Sequence, residues 1–88
     1  MTLFPAEFSP RAAREIQKLD PLTKKRIGKK IDSLEADPFP RDVKRVESHK
    51  DDKVFRVRVG DQRILYAVRY NPNRLIIVKV DERGRVYD

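Results

Sequence analysis

Between Lys53 and Tyr70 the chain reads K-V-F-R-V-R-V-G-D-Q-R-I-L-Y-A-V-R-Y, and few architectures accommodate that string. Phe55, Val57 and Val59 alternate with Arg56 and Arg58, the period of a half-buried strand. Gly60-Asp61 follows, and a glycine first in a two-residue loop suits a type II′ hairpin turn, because glycine takes the positive φ at little steric cost. The chain returns through Gln62 to Tyr70. A two-residue loop sets Val59 opposite Gln62, Arg58 opposite Arg63, Val57 opposite Ile64, Arg56 opposite Leu65 and Phe55 opposite Tyr66. One face is then core: Phe55, Val57, Ile64, Tyr66 and Val68. The other carries Arg56, Arg58, Arg63 and Arg69.

Like charges directly across a sheet are unfavourable by about 0.2–1 kcal/mol. Two readings of the arginine face stand. It holds an anion, for which the planar guanidinium fork suits phosphate oxygens. Or it is a solvated basic face that keeps strand edges from aggregating. Net charge favours an anionic partner: +7 over 88 residues, with a pI near 10.0. The excess lies with the strands, since residues 53–88 hold nine Lys/Arg against four Asp/Glu, and residues 1–52 twelve against ten. Such a balance fits nucleic acid, an anionic surface or an acidic protein. Cysteine is absent, which excludes disulfides, a thiol nucleophile and a Cys-based zinc site. No apolar run approaches membrane-spanning length, and the N-terminus lacks a signal-peptide pattern. A cytoplasmic protein is the expectation.

Upstream of the hairpin, residues 2–8 predict a first strand, with Phe4, Ala6 and Phe8 alternating. Pro5 has no N–H, so that strand should lie at an edge or begin after it. Ser9-Pro10 and Asp20-Pro21 are paired start signals, an N-cap followed by proline at the first helical position. The first opens a helix to about Leu19; the second opens one with Ile27, Ile31 and Leu34 on one stripe. Lys24, Lys25, Arg26, Lys29 and Lys30 occupy its other faces, readable as a nucleic-acid surface, a contact for an acidic partner, or a solvated face partnered by residues such as Asp32 and Glu35. Asp37-Pro38-Phe39-Pro40 ends this helix. Residues 41–52 are polar and without clear period, a loop or weak strand holding Arg41, Lys44, Arg45, Lys50 and the lone His49.

Downstream, Asn71-Pro72-Asn73 predicts a turn, and Arg74 to Val80 the most apolar run, expected as an interior strand buried on both sides. A three-residue turn would place Lys79 opposite Leu65 on the arginine face. The chain closes D-E-R-G-R-V-Y-D, where Arg83, Arg85 and Tyr87 can fold over that face. Tyr87 is either a stacking platform for a base or a cap on the sheet edge. Helices that must bury one stripe, and a sheet with one apolar face, predict an α+β fold: an N-terminal strand, a helical hairpin, then a mainly antiparallel meander with the helices on one face.

This order, with V-F-R-V-R-V-G-D-Q-R-I-L-Y at its centre and V-D-E-R-G-R-V-Y at its end, resembles the RelE/ParE toxin superfamily over nearly the whole chain, as a single domain spanning 1–88. The resemblance implies the toxin of a type II toxin–antitoxin system. In the RelE branch that is a ribosome-dependent endoribonuclease cutting mRNA in the A site, where a 2′-hydroxyl attacks the adjacent phosphate. It assigns the catalytic positions to Arg56, Arg58, Arg63, Arg83 and Tyr87, and RNA or ribosome contacts to Lys44, Arg45, Arg69, Lys79 and Arg85. It implies no metal or other cofactor, and no membrane. The implied partners are ribosome, mRNA and a RelB-like antitoxin held in a heteromeric complex. Some members carry lysine where this chain has Arg56 and Arg58, and arginine in practice does not act as a base. No Glu, Asp or His is placed in the site by the sequence, so the general base is unassigned. The other branch implies a ParE-like inhibitor of DNA gyrase; a third outcome is an inactive RNA-binding member.

Overall fold

A computed structural model of the chain describes residues 2–46 and 53–82. Its elements are β1 (Ala6–Phe8), α1 (Pro10–Gln17), α2 (Pro21–Ala36), β2 (Lys44–Val46), β3 (Val54–Val59), β4 (Gln62–Arg69) and β5 (Arg74–Glu82). The strands form one sheet in the order β1-β5-β4-β3-β2. Only β1, on β5, is parallel to its neighbour; the other pairs are antiparallel. This is the expected α+β arrangement, with both helices on one face.

Both helices begin where the capping chemistry places them. Ser9 Oγ accepts from the Ala12 N–H at 3.0 Å, and Asp20 Oδ2 from the Thr23 N–H at 3.1 Å. Hydrogen bonds from Thr23 hold the Asp20 carboxyl below its usual pKa. α2 stops at Asp37, which adopts extended backbone ahead of Pro38. Ile27, Ile31 and Leu34 are buried, as is Ala12 of α1, against Val57, Ile64, Tyr66, Leu75, Ile77 and Val80 of the sheet. The first strand is shorter than expected and starts after Pro5, whose carbonyl accepts from the Leu75 N–H at 3.0 Å. Ahead of it, the Leu3 and Phe4 N–H groups donate to Glu35 O, and the Ala6 N–H to the Glu35 carboxylate at 2.7 Å. The end of α2 therefore ties down the N-terminal edge.

The tyrosine in the core carries its hydroxyl to a partner. Tyr66 Oη donates to the Pro38 carbonyl at 2.6 Å, fixing the turn between α2 and β2. Burial, with Asp42 and Asp37 nearby, raises its pKa. Phe55 packs between this ring and Phe39, tilted to the first and edge-on to the second, with centroids 6.0 and 5.2 Å away.

The β3–β4 hairpin has the predicted register from Val59↔Gln62 to Phe55↔Tyr66. Gly60 has φ +59°, and Asp61 keeps a negative φ, the pattern of the predicted turn. The β4–β5 connection differs. Arg69 faces Arg74, so the turn is the four residues 70–73, with Asn71 at φ +58°. The register then shifts: Tyr66 faces Ile77, but Leu65 faces Lys79, leaving Val78 as one extra residue on β5. The longer turn and this β-bulge offset each other, so Lys79 still arrives opposite Leu65. β5 is interior to the sheet as expected, but only one of its faces lies under the helices: Leu75, Ile77 and Val80 are buried, Ile76 and Val78 half-buried.

Candidate functional site

On the sheet face away from the helices, the pairing lines up two rows across the strands. One runs Lys44–Arg56–Leu65–Lys79, the other Arg58–Arg63–Asp81. Neighbouring strands are about 4.8 Å apart, and same-face residues along a strand about 7 Å. Lys44, Arg56, Arg58, Arg63 and Lys79 thus share one patch. Arg63 is its floor, with 5% of its surface exposed, while Arg58 is open to solvent. A buried charge is tolerable only with opposite charge and hydrogen bonds around it. Asp81 supplies the opposite charge in that row, and its Oδ2 lies 3.2 Å from Lys79 Nζ. Asp81 is the site residue that the sequence reading missed. The signal was available: the pairing that puts Lys79 opposite Leu65 puts Asp81 opposite Arg63 two residues later.

The bulge decides which side chains reach this face. A one-residue slip exchanges the two faces of a strand. Without Val78 as an extra residue, Ile64 would face Lys79 and Arg63 would face Val80. Backbone groups around the bulge are taken up by the helix layer. The Ser9 N–H donates to Ile77 O at 3.0 Å, Ser9 Oγ donates to Val78 O at 2.8 Å, and the Val80 N–H donates to Glu15 Oε1 at 2.8 Å. α1 thereby occupies the edge of β5 beyond Phe8, where β1 has ended.

Two sequence expectations fall elsewhere. Arg45 pairs with Phe55, so it lies on the helix side of the sheet, not with Lys44. Arg69 shares the face of Arg63 but sits six residues along β4, roughly 20 Å away, opposite Arg74. Arg83, Arg85 and Tyr87, like His49, lie outside the described residues. The basic face of α2 borders an open groove of about 330 Å³ together with Ser33, Arg58 and Val59. Its Lys30 pairs with Asp42 at 3.2 Å, and the Glu35 carboxylate accepts from the Ala6 N–H. Among the described residues no three of His, Cys, Asp and Glu stand close enough to share a metal ion, and no helix is long and apolar enough to cross a membrane.

As an assembly, the patch is a set of donors with one carboxylate, suited to gripping an anion. Solved structures share the fold that carries it. RelE of Pyrococcus horikoshii OT3, from an archaeal RelE–RelB complex, matches with a TM-score of 0.81 at 29% identity, over 96% of this chain and 99% of that one. The isolated RelE toxin of Escherichia coli matches with 0.74 at 20% identity, over 94% and 87%. Two helices against one face of a five-stranded, mainly antiparallel sheet are thus the architecture of RelE-type toxins. A Methanocaldococcus jannaschii protein bearing the toxin name RelE1 is 31% identical over 87 residues, 96% of this chain and 94% of the relative. The profile of the ParE toxins of type II toxin–antitoxin (parDE) systems matches residues 6–87, and the chain belongs to that family.

Proposed function

We propose that this toxin is an endoribonuclease that acts in the cytoplasm on mRNA in the ribosomal A site. The observation that carries the reading is Arg63, buried on the sheet face away from the helices, between Arg58 and Asp81 in one row. A chain selected for stability alone gains nothing from two arginines in register; a site that must hold a phosphodiester does. The 2′-hydroxyl oxygen attacks the adjacent phosphorus, the bond to the 5′ oxygen breaks, and the products are a 2′,3′-cyclic phosphate and a 5′-hydroxyl end. Arg63, with Arg56 and Arg58, neutralises the phosphorane, and Lys44 and Lys79 flank it. The resemblance adds Arg83 as a further phosphate ligand, Tyr87 as the group that orients the base, and Arg85 beside them. A RelB-like antitoxin is the second partner, in line with the RelE–RelB complex of the archaeal structure.

The test is in vitro translation of a defined message, with primer extension on the mRNA and naked RNA in parallel. Cuts in codon register that need ribosomes, and that fall at least a hundredfold with Arg63→Ala, are expected. The match to the ParE toxin profile favours a second reading, inhibition of DNA gyrase. Supercoiling by gyrase in the presence of the toxin separates the two: inhibition that survives Arg63→Ala, with no mRNA cuts, supports the second.

A further inference from the structure

The proposed cleavage leaves one chemical role unfilled: a group that takes the proton of the 2′-hydroxyl. The side chains of the basic patch do not fill it. Arginine is a donor without a free acceptor, the Lys79 ammonium is paired with Asp81 at 3.2 Å, and Lys44 sits on the outer strand at the far end of its row. We propose that Asp81 is the general base. The inference rests on the nuclease reading given above and adds a residue to that site.

Placement is the main argument. Asp81 stands opposite the buried Arg63, in the row that Arg58 completes. A phosphate held by those arginines is adjacent to its carboxylate. Glu7, the other strand carboxylate on this face, is remote: it pairs beside Ile76 on the edge strand and lies 3.9 Å from Arg74. Asp81 is also oriented. Its Oδ1 accepts from the Glu82 N–H at 2.8 Å, its Oδ2 is 3.2 Å from Lys79 Nζ, and its side chain is 21% exposed.

A second observation is the bulge. It aims both Asp81 and Lys79 at the patch, and bulges commonly serve to re-aim side chains beside active sites. This one is held from behind by Ser9 and Glu15. In the step, a carboxylate oxygen of Asp81 accepts the 2′-hydroxyl proton as the O2′–P bond forms. The P–O5′ bond breaks, and the departing 5′ oxygen takes a proton from water. Asp81 then returns its proton to the hydroxide so generated.

The experiment is single-turnover cleavage of mRNA in programmed ribosomes by the full-length toxin, over a range of toxin concentrations and from pH 6 to 9. The unmodified protein should cut with a rate nearly independent of pH, because an aspartate base is ionised throughout. Asp81→Asn should cut about 10²–10⁴-fold more slowly at saturating toxin. Its half-saturating concentration should be equal or lower, since a negative charge has left a basic patch. Its residual rate should climb tenfold per pH unit as hydroxide replaces the missing base. Asp81→Glu keeps a carboxylate and should keep the flat profile. Thermal unfolding of each variant separates misfolding from chemistry. Asp81→Asn protein that is folded and cuts within about twofold of the unmodified rate would overturn the assignment, as would a slower variant with a flat profile. Absence of cutting by the unmodified protein would overturn the nuclease reading and the inference with it, a different result from either.

Discussion

Glu15 lies on a helix and contributes no side chain to the basic patch, yet the geometry of that patch passes through it. Its Oε1 accepts from the Val80 N–H at 2.8 Å, and its Oε2 accepts from Arg11 Nε at 3.1 Å. Val80 is 4% exposed, so Glu15→Ala orphans a backbone donor close to the core. Leaving such a group unmade costs about 1–3 kcal/mol, and the upper part of the range applies because the acceptor is a carboxylate. The Arg11 pair adds little: Arg11 is 60% exposed, and exposed i,i+4 pairs are worth about 0.3–0.5 kcal/mol. A loss of about 2–3 kcal/mol in a domain of this size lowers Tm by about 8–24 °C. Glu15→Gln keeps an oxygen acceptor and should recover more than half of the loss, while Arg11→Ala should cost under ~0.5 kcal/mol. Circular dichroism melts give the stabilities, and amide hydrogen exchange at Val80 reports the bond itself. Equal losses for Glu15→Ala and Arg11→Ala, with Val80 protection unchanged, would refute the claim that Glu15 pins the bulge.

Ser9→Ala removes two bonds at once, the cap on the Ala12 N–H and the donation to Val78 O; a loss of about 1–2 kcal/mol is expected from denaturant melts, against a few tenths for Ser9→Gly only if the second bond matters little. For Tyr66 the folded pKa lies above the unfolded value, so its contribution is complete below about pH 10 and is lost as pH rises beyond that. Stability should therefore fall above pH 10, and Tyr66→Phe, which costs about 1 kcal/mol at pH 8 through the lost bond to Pro38, should fall less steeply. Urea titrations at pH 8 and 10.5 test both parts.

Local chemistry made much of this fold legible. Ser9-Pro10 and Asp20-Pro21 announce helix starts because a cap and a proline act within one turn. The β3–β4 register follows from two adjacent residues, Gly60 and Asp61. What the string conceals is non-local. Nothing in Arg74 to Val80 says that Ser9 and Glu15, more than sixty positions earlier, will take up the hydrogen bonds of a bulge. The turn at 70–73 is one residue longer than its Asn-Pro-Asn centre implies, and Val78 makes up the difference. Arg45 and Lys44 are both basic, but adjacent strand residues point to opposite faces, and only Lys44 shares the patch. Asp81 is hidden for a related reason: its place opposite Arg63 depends on the register two residues beyond Lys79.

Two independent demands select the bulged register of β5. The first is hydrophobic. With even alternation from Leu75 and Ile77, the next inward position would be Lys79, set against Ile64, which is fully buried. An ammonium there would have to be desolvated, at several kcal/mol. The extra residue turns Val80 inward instead. The second is electrostatic. Arg63 is buried, and the unbulged register would set Val80 beside it in place of Asp81. Either cost exceeds the unfavourable Arg58–Arg63 pairing of about 0.2–1 kcal/mol. The sheet thus reaches its most stable register by the same shift that brings a lysine and a carboxylate onto the arginine face. The placement of Asp81 is therefore tied to the core behind it: slipping it off this face would expose Val80 and bury Lys79 together. A register tied down in this way suits the proposed charge stabilisation, which needs its donors in place before the phosphate acquires extra charge.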